Sequence, residues 1–248
     1  MAARIAIISD IHGNLRALDA VLADIARRGI AMIYCLGDLV GKGPDGAAAL
    51  DRCQQVCAGM VRGNWDQDIA DLTLASAHSS VVWHRAQLET ARLHSLATLP
   101  NTIEFTLGNE RVRLLHASEQ GIHARVQRHA PVERHRALLG NTAFTGYDTT
   151  PTVVGYGDIH NVFVAECAEG LLFNAGSVGN PLDGTRATYA ILSATDTQPG
   201  VQVEICRVAY AIELAITDAE AVTMPDLAAY AWELRTGRYR TEMPGFVR

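Results

Sequence analysis

Six side chains of this sequence are of types that bind divalent cations, and each stands just after a stretch that reads as a strand. They are Asp10 and His12 in Ser9-Asp10-Ile11-His12-Gly13-Asn14, Asp38 in Gly37-Asp38-Leu39, Asn64 in Gly63-Asn64-Trp65-Asp66, His116 in His116-Ala117-Ser118, and His160 in Gly157-Asp158-Ile159-His160. A lone Asp-x-His is explained equally well by a strand end whose Asp caps the next helix. In an extended backbone, however, the i, i+2 spacing places Asp10 and His12 on one side, an oxygen and an imidazole within reach of one ion. Six such coincidences, each flanked by glycine or small residues, are most economically explained by convergence at one sheet edge. There they would be ligands of two divalent cations that share a carboxylate.

The elements that must deliver these groups follow from hydrophobic periodicity. Ile5 to Ile8 is an apolar run that predicts a buried strand in the middle of an α/β sheet, whose carboxyl end is where sites form. Leu15, Leu18, Val21, Leu22 and Ile25 recur at helical spacing up to Gly29, and Ile30 to Leu36 predicts a second strand. Pro44 is placed as the first residue of a helix through Leu50 to Gln55, and Val56 to Val61 reads as a third strand. Ile69 to Leu99 has helical periodicity only, stopped by Pro100, and predicts two helices. The period then becomes two: Ile103, Phe105 and Leu107, a Gly108-Asn109 turn, and Val112, Leu114 and Leu115 predict a hairpin. Glu119 to Asn141, rich in His and Arg with Pro131 inside, reads as an irregular helical excursion over the top of the sheet. Thr152 to Val154 leads into the Asp158/His160 motif, Val162 to Glu166 and Leu171 to Asn174 form a short hairpin, and Ala175 to Pro181 is a turn. Ala187 to Leu192 and Val201 to Cys206 alternate as late strands, and Leu227 to Leu234 has the pattern of a closing amphipathic helix.

Composition bounds the function. At 248 residues, 48% hydrophobic and 19% charged, the chain can bury a full core, and one domain over 1–248 is expected. A formal net charge of -6 gives no general affinity for nucleic acid, which is therefore not a first partner. The strand begins within a few residues of Met1 and no apolar run approaches the ~20 residues a membrane span needs, so a soluble cytoplasmic protein without a membrane partner is expected. Five scattered cysteines read as reduced thiols; Cys53 and Cys57 are an i, i+4 pair with no second half for a zinc site.

The ordered motifs resemble those of the calcineurin-like metallophosphoesterases, whose pattern is Asp-x-His, Gly-Asp, Gly-Asn-His-(Asp/Glu), a lone His and Gly-His-x-His. The resemblance runs the whole chain. The Gly-Asp-Leu-Val-Gly-x-Gly-Pro-Asp segment at Gly37 to Asp45 and the Asn174 to Pro181 turn are similar to those of the small bacterial and archaeal phosphodiesterases, part of which is described as diadenosine-tetraphosphatase-like. The fold this implies is a four-layer α/β/β/α sandwich of two mixed sheets, with C-terminal helices after Tyr210. The implied cofactors are two divalent metal ions, manganese first, with iron, nickel and zinc as alternatives. Asp10, His12 and His160 would hold the first ion, Asp38 would bridge, and Asn64 and His116 would hold the second, with Asp38, Asn64 and His116 also serving catalysis.

Three positions depart from the pattern. Asp158 stands where the other second-metal histidine belongs; as a ligand it would make the site harder and more negative. Trp65 replaces a histidine that assists the leaving group, and Trp can neither take nor give that proton. Ala117 replaces a glycine without evident consequence. His78 and His84 are candidates for the missing acid, against a packing role. Asn14 is read as a phosphate contact or as the cap of the following helix, Arg62 as a phosphate clamp or a structural partner, and Lys42 and the basic segment 123–136 as polyphosphate contacts or a solvated face. The implied function is hydrolysis of phosphodiester or nucleotide-type phosphate or pyrophosphate bonds by a hydroxide held at a dinuclear metal site. The substrate is a small phosphate ester or nucleotide, and a homo-oligomer is compatible with the sequence. The alternatives are a phosphomonoesterase or protein phosphatase, and a non-catalytic scaffold of the same fold.

Overall fold

Strand β1 (Ala3–Ile8) places Ile7 and Ile8 side by side in sequence but on opposite faces of a sheet, and both are fully buried. That is why the run has no polar alternation: both faces of the strand are covered. Ala6 and Ile8 pack under helices with Leu18, Val21 and Leu50, while Ile5 and Ile7 meet Leu114, Val153 and Phe173 of a second sheet. Each such side chain contributes about 1.5–3 kcal/mol of burial. The computed structural model describes residues 3–71, 79–195 and 198–246.

In chain order, β1 is followed by α1 (Leu15–Arg27), β2 (Met32–Cys35), α2 (Gly46–Val56), β3 (Gly59–Met60) and the helices α3 (Asn64–Ala70), α4 (Ser79–Ala86) and α5 (Thr90–Ala97). The hairpin β4 (Thr102–Leu107) and β5 (Glu110–Leu115), the short α6 (Val132–Ala137), and β6 (Val153–Tyr156), β7 (Phe163–Cys167) and β8 (Gly170–Asn174) form the second half. The chain returns through β9 (Ala187–Thr195) and β10 (Gln198–Val208), then α7 (Ile212–Ala221) and α8 (Leu227–Thr236). One five-stranded sheet has the order β10-β9-β1-β2-β3 and the other β4-β5-β6-β8-β7. Both are mixed: β1 is parallel to β2 and antiparallel to β9, and β6 is parallel to β5 and β8 while β7 is antiparallel to β8. The sandwich expected from the resemblance is therefore present, with unequal outer layers. Helices α1 and α2 cover the first sheet, whereas the second is covered by the irregular chain on either side of α6, through Val126, Leu138 and Leu139 on Leu115, Val154 and Tyr156.

Several boundaries differ from the sequence reading. Helix α2 starts at Gly46, so Pro44 lies before it, and β3 is only Gly59–Met60. The region read as two helices begins earlier, with α3 starting inside the Asn64 motif, because the Asp66 carboxylate accepts the Gly63 N–H (3.0 Å) and closes the first turn. Pattern alone also missed α7, whose buried face is limited to Ala215, Ile216 and Ala219, too narrow a stripe to read.

Asn14 caps α1. Its Oδ1 accepts the Ala17 N–H (3.1 Å) and its Nδ2 donates to the Gly179 carbonyl (2.8 Å) and, at 3.4 Å, to the Tyr210 hydroxyl. With the side chain buried and both ends of the amide engaged, the substrate contact considered for Asn14 gives way to the capping role. Asn14→Ala should lower the unfolding free energy by about 2–5 kcal/mol, the sum of a lost cap and an unsatisfied buried carbonyl. Chemical denaturation measures this. Weaker binding of inorganic phosphate at unchanged stability would instead restore the substrate contact.

Candidate metal centre

The side chains that converge do so from bent backbone rather than from extended strand. Asp10, His12, Asp38, Asp158 and His160 have φ of 54°, 48°, 52°, 64° and 56°, all in the left-handed region. The extended i, i+2 geometry assumed for Asp10 and His12 is thus corrected. Such a conformation costs a non-glycine residue about 1–3 kcal/mol and persists where its surroundings fix it. Here backbone bonds between loops do so: Asp10 N–H to Gly37 O (3.0 Å), His12 N–H to Asp38 O (2.8 Å), Gly13 N–H to Leu39 O (3.0 Å) and Gly179 N–H to Asp10 O (2.9 Å). Two glycines make the approach possible. A Cβ on Gly63 would lie 2.1 Å from Asp38 Oδ1, and one on Gly13, itself at φ 61°, 2.8 Å from the Gly43 carbonyl oxygen.

The loops after β1, β2, β5 and β6 bring together two triads of ligand atoms, Asp10 with His12 and His160, and Asp10 with Asp38 and His116, each within a 4.8 Å span. In the first, His12 Nε2 and His160 Nε2 are 3.1 Å apart, and His160 Nε2 is 3.1 Å from Asp10 Oδ1. In the second, Asp38 Oδ1 is 3.5 Å from His116 Nε2, while Asp38 Oδ2 is 3.5 Å from His12 Nε2. The Asp38 carboxylate therefore turns one oxygen to each triad. Asn64, first residue of α3, sets its Oδ1 2.9 Å from His116 Nε2.

The donor set fits cations. His160 Nδ1 faces the Asn180 carbonyl (2.5 Å) and His116 Nδ1 the Leu36 carbonyl (2.7 Å), which places a proton on each Nδ1 and leaves each Nε2 lone pair to the site. Asp10 Oδ2 accepts from Ser9 Oγ (2.5 Å) and the Asp158 N–H (3.1 Å), whereas the buried Asp10 Oδ1 has no donor. Asp66, which the sequence reading passed over, is the brace: its oxygens accept the N–H groups of Asp38 (2.8 Å), Leu39 (2.9 Å) and Gly63 (3.0 Å), tying the Asp38 loop to the Asn64 loop. The Gly-x-x-Asp spacing of a helix start was the available signal. Nothing local marked Ser177, whose Oγ donates to Asp10 O (2.8 Å), or Asn180.

Electrostatics follow from burial. Burial works to raise the Asp10 carboxyl, yet the neighbouring His160 imidazole brings it down to about 2. Burial raises Asp38 well above the carboxylate range, partly offset by His116 and reinforced by Asp10 and Asp66. Burial, then Lys42 and the neighbouring imidazoles, hold His12 well below the usual histidine range. Burial would lower His116 too, but Asp38, Asp10 and Asp158 raise it to about 9.

Asp158 lies beside the site and in neither triad. Both its oxygens are engaged by the Arg125 guanidinium, Nε to Oδ2 at 2.8 Å and Nη2 to Oδ1 at 2.7 Å, so an ion pair stands where the resemblance implies a second-metal ligand. Arg62 turns away, donating to the Ala97 carbonyl (3.1 Å) and Asn101 Oδ1 (2.8 Å), and its structural role displaces that of phosphate clamp. His84 is buried edge-on between Trp65 and Trp83, and burial lowers it to about 4, which disfavours the imidazolium form that a general acid needs near neutrality. His78 lies outside the described residues. Of the basic segment, Arg125 reaches the site, while Arg134 pairs with Glu119 (2.9 Å) and Arg136 with Glu169. A cavity of about 400 Å³ opens above the triads, lined by Asp38, Trp65 and His160 together with Lys42, Arg125 and Arg240. Lys42 Nζ donates to Asn180 Oδ1 (3.0 Å), and Asn180 in turn donates to Glu233 of α8 (3.2 Å).

Residues 3–197 match the calcineurin-like phosphoesterase superfamily domain. An uncharacterized protein of Methanocaldococcus jannaschii is 32% identical over 224 residues, 85% of this chain and 89% of the relative. The crystal structure of a metallophosphoesterase from Sphaerobacter thermophilus is similar at a TM-score of 0.74 and 26% identity, covering 96% of this chain and 100% of that one. The protein PH1004 from Pyrococcus horikoshii OT3 shares the fold at a TM-score of 0.77 and 18% identity, covering 95% and 99%. No helix among the described residues is long and apolar enough to cross a membrane.

The carboxylate-raised His116 generates a prediction. With its pKa near 9, the metal-free protein carries a proton on His116 at neutral pH that must leave before Nε2 can ligate. Manganese binding should therefore release protons at pH 7, and affinity should rise with pH up to about 9. Calorimetry in buffers of different ionisation enthalpy measures both; an enthalpy independent of buffer would contradict the assignment of His116 as a ligand.

Proposed function

This chain belongs to the calcineurin-like phosphoesterase superfamily, and from that premise we propose that it is a metal-dependent hydrolase of phosphodiester or nucleotide-type phosphate and pyrophosphate bonds, with two metal ions held around Asp38. The observation that carries this reading is the pair of buried triads sharing Asp10, set under a cavity with cationic side chains. When bound, divalent cations supply a nucleophile from water near neutral pH and offset the charge of the phosphate oxygens. His12, His160 and Asp10 would hold one ion and His116 and Asn64 the other, with one Asp38 oxygen toward each. The donors are imidazole nitrogens and carboxylate or amide oxygens, without thiolate, which favours manganese or iron over softer ions.

The chain's own residues also bound the substrate. Trp65 keeps its backbone N–H on Asp38 Oδ1 (2.8 Å) and its ring edge-on to His12, so the position serves geometry and offers no acid. With His84 neutral behind it, leaving groups that need no proton are favoured. Lys42, fixed by Asn180, adds a cation suited to a second phosphate of a pyrophosphate-linked substrate.

The manganese-loaded protein should hydrolyse bis-nitrophenyl phosphate faster than glycerol phosphate by about 100-fold or more, the contribution of a missing general acid. Asp38→Ala should reduce that turnover to background and remove tight manganese binding. Undiminished turnover in Asp38→Ala at saturating manganese, or faster cleavage of the alkyl monoester, would defeat this reading.

A further inference from the structure

The Arg125–Asp158 pair is the feature of the site that the reaction above does not use. Asp158 is buried and Arg125 is half exposed, at 3% and 49% for the two side chains. The contact is made through Nε and Nη2, and Nη1 has no acceptor among the described residues, so one edge of the guanidinium is held and the other is free to donate. The segment that carries Arg125 is fixed as well: the Tyr156 hydroxyl donates to the carbonyl of Val126 (3.1 Å), and Val126 is itself buried. Tyr156 ends β6 and Asp158 follows two residues later, so the loop that delivers His160 also grips the backbone and side chain of the excursion opposite. Arg125 lies on the wall of the same cavity as Asp38 and His160.

An arginine whose orientation is set by a buried carboxylate, on the wall of a cavity above metal-seeking groups, is a preorganised oxyanion contact. Resting on the phosphoesterase reading, we propose that Arg125 is a substrate-binding residue that donates through Nη1 to a non-bridging phosphate oxygen. Asp158 then acts as its positioning residue and not as a metal ligand. The pair takes over part of the anion recognition that Trp65 cannot provide.

The test uses full-length wild type, Arg125→Gln, Arg125→Lys, Asp158→Asn and the double variant Arg125→Gln/Asp158→Asn. Bound manganese is measured by elemental analysis, and affinity for inorganic phosphate by calorimetry on the manganese-loaded proteins. Manganese per chain should be the same in all five. Phosphate affinity should fall about 10-fold or more in Arg125→Gln, the loss of a charge-assisted contact, and by less in Asp158→Asn, which keeps the cation and loses only its fixed orientation. The double variant should match Arg125→Gln alone. If Arg125→Gln fails to fold, Arg125→Lys reads the same point, because it keeps charge and loses the fork.

Loss of manganese in Asp158→Asn would make Asp158 a ligand and overturn the proposal. Wild-type phosphate affinity in the Arg125 variants would do so too, by leaving the pair a structural tie, as would a double variant in which the two losses add. These readouts stand apart from turnover. Phosphate held through Arg125 by a protein inert to diesters would remove the proposed reaction and leave the clamp, and an active enzyme indifferent to Arg125 would do the reverse.

Discussion

Two carboxylates, Asp10 and Asp38, are buried close together at the carboxyl ends of adjacent parallel strands, and that electrostatic demand orders the rest of the site. Neither can be charged there without compensation, because desolvation and mutual repulsion both favour the neutral acid. The structure answers with imidazoles. His160 keeps Asp10 ionised, and His116 takes up the proton that the carboxylates draw to it. A site that must hold protons in the absence of cations is also one that exchanges them for cations, so the affinity for metal and the charge state of the imidazoles are one property.

Holding those groups in place falls to the backbone. Strained left-handed residues recur at Asp10, His12, Asp38, Asp158 and His160, and each lies in a loop cross-bonded to its neighbour. Asp66 is the largest single brace, since three backbone N–H groups from two loops end on its carboxylate within 3.0 Å. The apolar sandwich beneath, with Ile7 and Phe173 on its inner face, fixes where the strands end. The loops then fix how the side chains leave them.

Two of the three departures from the superfamily pattern line one cavity. Trp65 packs beside His12 on one side of the cavity, and Asp158 turns from the triads to Arg125 on another. Replacing two imidazoles by an indole and a carboxylate removes proton donors and metal-seeking nitrogen. In their place stands a guanidinium, which is charged at every working pH and directional. The cationic side chains of Lys42 and Arg125 thus line the same cavity as Asp38 and His160.

Residue type, order and strand-end position alone identified Asp10, His12, Asp38, His116 and His160 as candidates, because buried strands and their polar ends have a periodicity that survives without neighbours. The late hairpins were legible for the same reason, whereas the sandwich was implied by the resemblance of the ordered motifs. What the sequence left open was decided by contacts between segments far apart in the chain. The Asn14 amide that caps its helix is also held by Gly179, 165 residues away, and Arg62 is structural because Asn101 meets it. The partner that Asp158 meets, Arg125, lies 33 residues upstream in an aperiodic segment that gave no sign of the pair. A side chain's type fixes what it can bind; which of its possible partners it meets is set by the packing of loops, and that carries no local signal.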